Sequence, residues 1–194
     1  MESLTELYRI GIGPSSSHTM GPQKAAKLFL DRYSAAKSFK VILYGSLAAT
    51  GKGHMTDVAI VNTLNPAGKV DIEWQPQVFL PFHPNGMKFF AYGENHESLG
   101  EWTVYSVGGG ALSEGTEDTG VFTHRHIYPL TTIKDIMGWC YENGRSYWEY
   151  VDMCEKPEIW EYLHEVWEIM KAAVERGINH EGVLPGPLGL ARKA

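Results

Sequence analysis

The chain has 194 residues, 43% of them hydrophobic and 21% charged, with six Trp, seven Phe, ten Tyr and a formal net charge of −6. That apolar and aromatic content suffices for a packed core and excludes disorder over most of the length; 17 basic against 23 acidic side chains, with no basic stripe, exclude nucleic acid as a partner. No stretch approaches the roughly 20 apolar residues of a membrane span, and the two cysteines, Cys140 and Cys154, fit a reducing, cytoplasmic compartment.

The first informative stretch is Gly11-Ile-Gly-Pro-Ser15-Ser16-Ser17-His18-Thr19-Met-Gly21-Pro22. Three consecutive hydroxyls between glycines, just ahead of a helix opened by Pro22, form a loop whose N–H and O–H groups can converge on a carboxylate or phosphate. A serine-rich turn that merely caps the helix reads equally well. Ala25, Ala26, Phe29 and Leu30 mark that helix, and Phe39 to Tyr44 reads as a strand.

Gly45-Ser-Leu-Ala-Ala-Thr-Gly51-Lys52-Gly53-His54-Met-Thr56-Asp57 follows. It has the wrong glycine spacing for a phosphate-binding P-loop, and Gly53 stands where a magnesium-ligating hydroxyl belongs. What remains is His54 between a glycine-flexible lysine turn and a helix through Val58, Val61 and Leu64 that Thr56 is expected to cap. Imidazole titrates near neutrality, so His54 suits a general base; a satisfied core or surface histidine is the plainer alternative. Val70 to Trp74 reads as a strand, and Phe82-His83-Pro84-Asn85-Gly86-Met87 is a turn that carries an imidazole and an amide, or simply a Pro-Asn-Gly turn. Met87 to Tyr92 and Trp102 to Val107 are further strands, the last followed by Gly108 to Gly110, a nest, a hinge or a strand end. His124 and His126 share a strand face without a third metal ligand. These runs predict an α+β domain around a mixed or antiparallel sheet with flanking helices.

Near Pro129 the composition turns glycine-poor and helical. Thr132 with Asp135 and Ser146 with Glu149 read as capping pairs, and Pro157 opens a helix in which Trp160, Leu163, Trp167, Met170 and Val174 recur until Gly177 stops it. Such a stripe is core or inter-domain contact. Cys140 and Cys154 read as buried small hydrophobes. Residues 131–181 hold the acidic excess, with 5 basic and 11 acidic side chains, and 182–189 is a Gly/Pro linker. The expected division is 1–130, a helical connection over 131–181, and a linker over 182–194 that leads out of a chain cut from something longer.

Taken together, Leu7 to Pro22, Gly45 to Asp57, Phe82 to Met87 and Tyr105-Ser-Val-Gly-Gly-Gly110 resemble the N-terminal domain of the bacterial iron–sulfur-dependent L-serine dehydratases. The resemblance covers about 1–130 and weakens through 131–181. It implies a domain similar to the allosteric substrate-binding domain of some phosphoglycerate dehydrogenases, a homodimeric assembly, and L-serine as ligand. It implies conversion of L-serine to pyruvate and ammonia at a [4Fe–4S] cluster whose ligands lie in a C-terminal catalytic domain, so that no cofactor is expected on this chain and the chain alone is expected to be inactive. Two cysteines outside any cluster motif agree with that partition. The implied roles are substrate binding for Ser15, Ser16, Ser17, His18 and Thr19, base for His54, and positioning or proton transfer for His83 and Asn85. A stand-alone serine-sensing or dimerisation module is the rival reading.

Overall fold

A computed structural model of the chain describes residues 1–115, 126–183, 189, 191 and 192. It comprises two compact units. One runs from Gly11 through a five-stranded sheet; the other joins Met1–Ile10 to the helices that end near His180.

The sheet unit follows from four short β-rich runs, with burial alternating at period two most clearly in the first and third. They form β1 (Ser38–Tyr44), β2 (Lys69–Gln75), β3 (Gly86–Tyr92) and β4 (Ser98–Gly108), and β5 (Ala111–Ser113) adds a short edge. The order is β2-β1-β3-β4-β5, with β1 and β2 parallel and the other neighbours antiparallel, so the sheet is mixed, as expected. Register places Val41 opposite Phe89 and Phe89 opposite Trp102, and Leu43 opposite Met87 and Met87 opposite Val104. These rows form the core face, covered by Ala25, Ala26 and Phe29 of α2 (Gly21–Arg32), Leu47 and Ala48 of α3 (Gly45–Thr50), and Ile60 and Leu64 of α4 (Thr56–Leu64). On the other face, side chains alternate in charge: Lys40 pairs with Glu73 at 2.7 Å and Lys88 with Glu101 at 2.9 Å. Two parallel neighbours require a crossover, and α3 and α4 supply it between β1 and β2. That crossover starts at the C-terminal end of β1, which is why the Gly45–His54 stretch gathers there.

In the helical unit, α1 (Leu4–Leu7) precedes α5 (Ile133–Asn143), α6 (Tyr147–Cys154) and α7 (Ile159–Asn179). Both expected capping pairs form: the Thr132 hydroxyl accepts from the Asp135 N–H at 3.2 Å, and Ser146 and Glu149 make the reciprocal box. The Glu155 carboxylate collects three donors, the Ser3 hydroxyl at 2.7 Å, the Leu4 N–H at 2.7 Å and the Tyr128 hydroxyl at 2.6 Å, which ties the N-terminus to the end of α6. Burial, then this bond, push the Tyr128 phenol far above its ordinary value.

Two expectations for α7 are corrected. The helix passes through Gly177 to Asn179, since a glycine near a helix end costs only about 1 kcal/mol. Of the two alternatives for the aromatic stripe, core is overturned among the described residues, where Trp167, Met170 and Val174 are at least half exposed. Cys140 is buried and Cys154 half-buried, both as free thiols. Among the described residues no helix is long and apolar enough to cross a membrane.

Phe29 packs against Phe89, Tyr33, Phe39 and Trp102 and is fully buried. Phe29→Ala is expected to cost about 3–5 kcal/mol in urea unfolding, whereas Tyr141→Ala, at a side chain in the open, is expected to stay within about 0.5 kcal/mol.

Candidate active site

The polar motifs converge on one end of the sheet. A tight turn of π-helical form over Ser16–Met20 leads directly into α2. Ser15 caps it: its hydroxyl accepts the His18 N–H at 3.1 Å, and its carbonyl accepts the N–H groups of Thr19 and Met20. Thr19 is buried, and its hydroxyl accepts from the Ser15 N–H and donates to the His54 carbonyl at 2.8 Å. In return, the buried Thr56 hydroxyl donates to the His18 carbonyl. The two loops are therefore tied by a reciprocal pair of threonine bonds.

This pair holds the His18 and His54 rings edge to face, 4.9 Å between centroids and 84° between planes. His18 has a hydroxyl at each ring nitrogen: Ser17 Oγ lies 2.9 Å from Nδ1 and Ser46 Oγ 3.4 Å from Nε2. Burial, then the neighbouring His54, lower the His18 pKa below 6.5, a shift that its contact with Ser46 partly opposes. The His54 imidazole is half-buried and has no hydrogen-bond partner among the described residues. Ser16 is exposed.

The third motif is pinned to the same place. Gly45, at the exit of β1, has φ +47°, and a Cβ there would stand 2.6 Å from the Pro84 carbonyl oxygen and 2.9 Å from the Phe79 ring. Glycine is needed both for the turn and for this approach. The loop before β3 bonds to it, with the Gly45 N–H donating to the Val78 carbonyl at 2.9 Å and the Ser46 N–H to the Pro84 carbonyl at 3.0 Å. His83 and Asn85 are thereby brought beside Ser46. His83 Nδ1 accepts the Asn85 N–H at 3.1 Å, so the neutral ring carries its proton on Nε2 and can donate there. Asn85 is buried; its side-chain N–H donates to the Ser106 carbonyl at 3.2 Å, and the Ser106 N–H donates to the Asn85 carbonyl at 3.0 Å.

Asn85 Oδ1 and Ser106 Oγ are buried without a hydrogen-bond partner among the described residues. Each carries a desolvation penalty of about 1–3 kcal/mol, retained where the histidines gather. Ser106 also touches the first loop, since a Cβ on Gly21 would stand 2.3 Å from its Oγ.

All eight residues singled out in the sequence thus lie on loops at one sheet end, in differing positions. Ser15 and Thr19 are engaged in holding the turn, Ser17 and His18 are half-buried, and Asn85 is a buried brace. Thr56 is corrected: it does not cap α4, whose N-cap is Met55, but stands at the first helical position and bonds His18. The sequence reading misses Ser46, Thr56 and Ser106 as members of the site. Each sits inside a quoted motif, but nothing in residue type alone reveals which loop it will meet. Of the weak histidine pair, His124 lies outside the described residues, and His126 Nδ1 lies 3.1 Å from the N-terminal amine. Among the described residues no group of three or more His, Cys, Asp or Glu side chains could hold a metal.

The model of the serine dehydratase beta chain matches this sequence over residues 3–70 and 63–117. The chain belongs to the serine dehydratase beta-chain family. L-serine dehydratase 1 of Escherichia coli is 35% identical over the whole chain, an L-serine dehydratase of Haemophilus influenzae 33%, and one of Streptomyces coelicolor 32% over 99% of it. The chain spans about half the length of these relatives, 53% of each. The family match covers every loop of the site and ends before α5.

A histidine whose folded pKa is lowered binds protons less readily than in the unfolded chain, so its contribution to stability is complete above pH 6.5 and is lost as pH falls through the lowered value. The melting temperature of the chain is therefore expected to fall on acidification below pH 6.5. His18→Gln should flatten that slope, and His164→Gln, at an exposed position on α7, should leave it unchanged.

Proposed function

We propose that this chain is the substrate-binding part of an L-serine dehydratase, converting L-serine to pyruvate and ammonia through loss of water to aminoacrylate. The observation that supports it most is the convergence of three sequence-distant polar motifs on one sheet end, in a member of the beta-chain family. The Ser15–Ser17 turn presents backbone N–H and hydroxyl groups suited to the substrate carboxylate. His54, half-buried with no hydrogen-bond partner for its ring nitrogens among the described residues, is suited to take the Cα proton, and His83 to donate from Nε2. Asn85 braces His83, and Thr19 acts by holding His54 rather than by facing substrate.

A [4Fe–4S] cluster would supply the Lewis acid for the departing hydroxyl. The residues of this chain do not fit it: two thiols, one buried and one half-buried, are fewer than a cluster requires, and no third ligand joins them among the described residues. The proposed partner is accordingly the remaining half of the dehydratase carried by the relatives. The exposed Trp167, Met170 and Val174 on α7 support a role for the helical unit in meeting it, and a homodimeric assembly belongs to the same proposal. The free thiols support a reducing, cytoplasmic setting.

In the complete dehydratase, His54→Ala is expected to lower kcat for L-serine by roughly 10²–10⁴-fold with little change in KM, read by pyruvate formation at equal cluster absorbance. Near-parental turnover would remove His54 as the base. A parent enzyme that forms no pyruvate from L-serine would remove the reading altogether.

A further inference from the structure

Met55 holds a left-handed backbone, φ 57° and ψ 33°. Among the described residues the other non-glycine with positive φ is His96, in an exposed turn between β3 and β4, where such a conformation is unremarked. Met55 is in a different place. It lies between His54, whose carbonyl accepts the Thr19 hydroxyl, and Thr56, whose hydroxyl donates to the His18 carbonyl. The turn closes twice on one acceptor: the N–H groups of His54 and Thr56 reach the Gly51 carbonyl at 3.1 and 2.9 Å. The Met55 carbonyl then begins α4 by accepting the Ala59 N–H at 3.0 Å. The left-handed conformation is unfavourable for a residue with a Cβ, and it persists because these bonds on either side over-determine it.

We propose that Met55 is a positioning residue whose left-handed backbone, not its thioether, sets His54 against His18. The chain reverses at Met55, so that residues 54 and 56 both face the first loop, one as acceptor and one as donor. A right-handed or extended residue there turns one of the two bonds away and separates the rings. For its kinetic arm this inference rests on the dehydratase reading; its structural arm does not.

The test compares Met55→Gly and Met55→Asn, which accept the left-handed conformation, with Met55→Val, whose β-branch resists it. In the complete dehydratase the Gly and Asn variants are expected to keep kcat close to the parent, and Val to lose about 10²-fold in kcat with a much smaller change in KM. In the 194-residue chain, NMR titration of the His18 imidazole is expected to match the parent in the Gly and Asn variants and to rise part of the way toward the ordinary value in Val, since burial, the larger cause of the lowering, remains when His54 moves off. A folded Val variant with parental kcat and parental His18 titration overturns the proposal. So does loss of activity in Gly and Asn, which would assign the role to the side chain; if Val does not fold, these two variants decide. If the parent enzyme shows no dehydratase activity, the functional reading fails while the His18 titration still tests the positioning.

Discussion

Two threonine hydroxyls, each donated across to the other loop's histidine carbonyl, hold the candidate site in one piece. Thr19 reaches the His54 carbonyl, and Thr56 reaches the His18 carbonyl. Both threonines are fully or almost fully buried, so neither hydroxyl has water as an alternative partner when its bond to the other loop is broken. The edge-to-face contact of the imidazoles, the lowered pKa of His18 and the placement of its ring between Ser17 and Ser46 all depend on that register. The sheet contributes the frame: the parallel β1–β2 pair imposes a crossover whose first turn must begin at Gly45, and the antiparallel β3–β4 pair sets Asn85 opposite Ser106 at the same end.

Much of the fold is legible in the sequence because its strands are short apolar runs bounded by turn residues. Phe39 to Tyr44, Val70 to Trp74, Met87 to Tyr92 and Trp102 to Val107 lie within the four long strands, and Ala25 to Leu30 within α2. The strand order is not legible, since period-two alternation says which face a residue takes but not which neighbour it pairs with. The helix α3 over Gly45–Thr50 also escapes notice, because its opening glycine and terminal threonine resemble a loop.

The site is legible by residue type and opaque by contact. Serines between glycines, a histidine after a glycine-lysine-glycine turn and a His-Pro-Asn-Gly turn announce themselves. That Thr56 forgoes capping α4 to bond His18, that Ser106 rides on Gly21, and that Met55 turns left-handed are consequences of tertiary placement. The stripe on α7 makes the complementary point. Its periodicity identifies a surface that needs covering, and the described residues leave Trp167, Met170 and Val174 at least half exposed.

The two loops behave as a single unit through the reciprocal threonine bonds. A double-mutant cycle with Thr19→Val and Thr56→Val, read as unfolding free energy of the chain, tests it most directly. The predicted result is strong coupling: either single substitution loosens both loops, and the double variant loses less than the two singles together by about 1 kcal/mol or more. Losses that add to within about 0.3–0.5 kcal/mol would show two independent bonds and contradict the account.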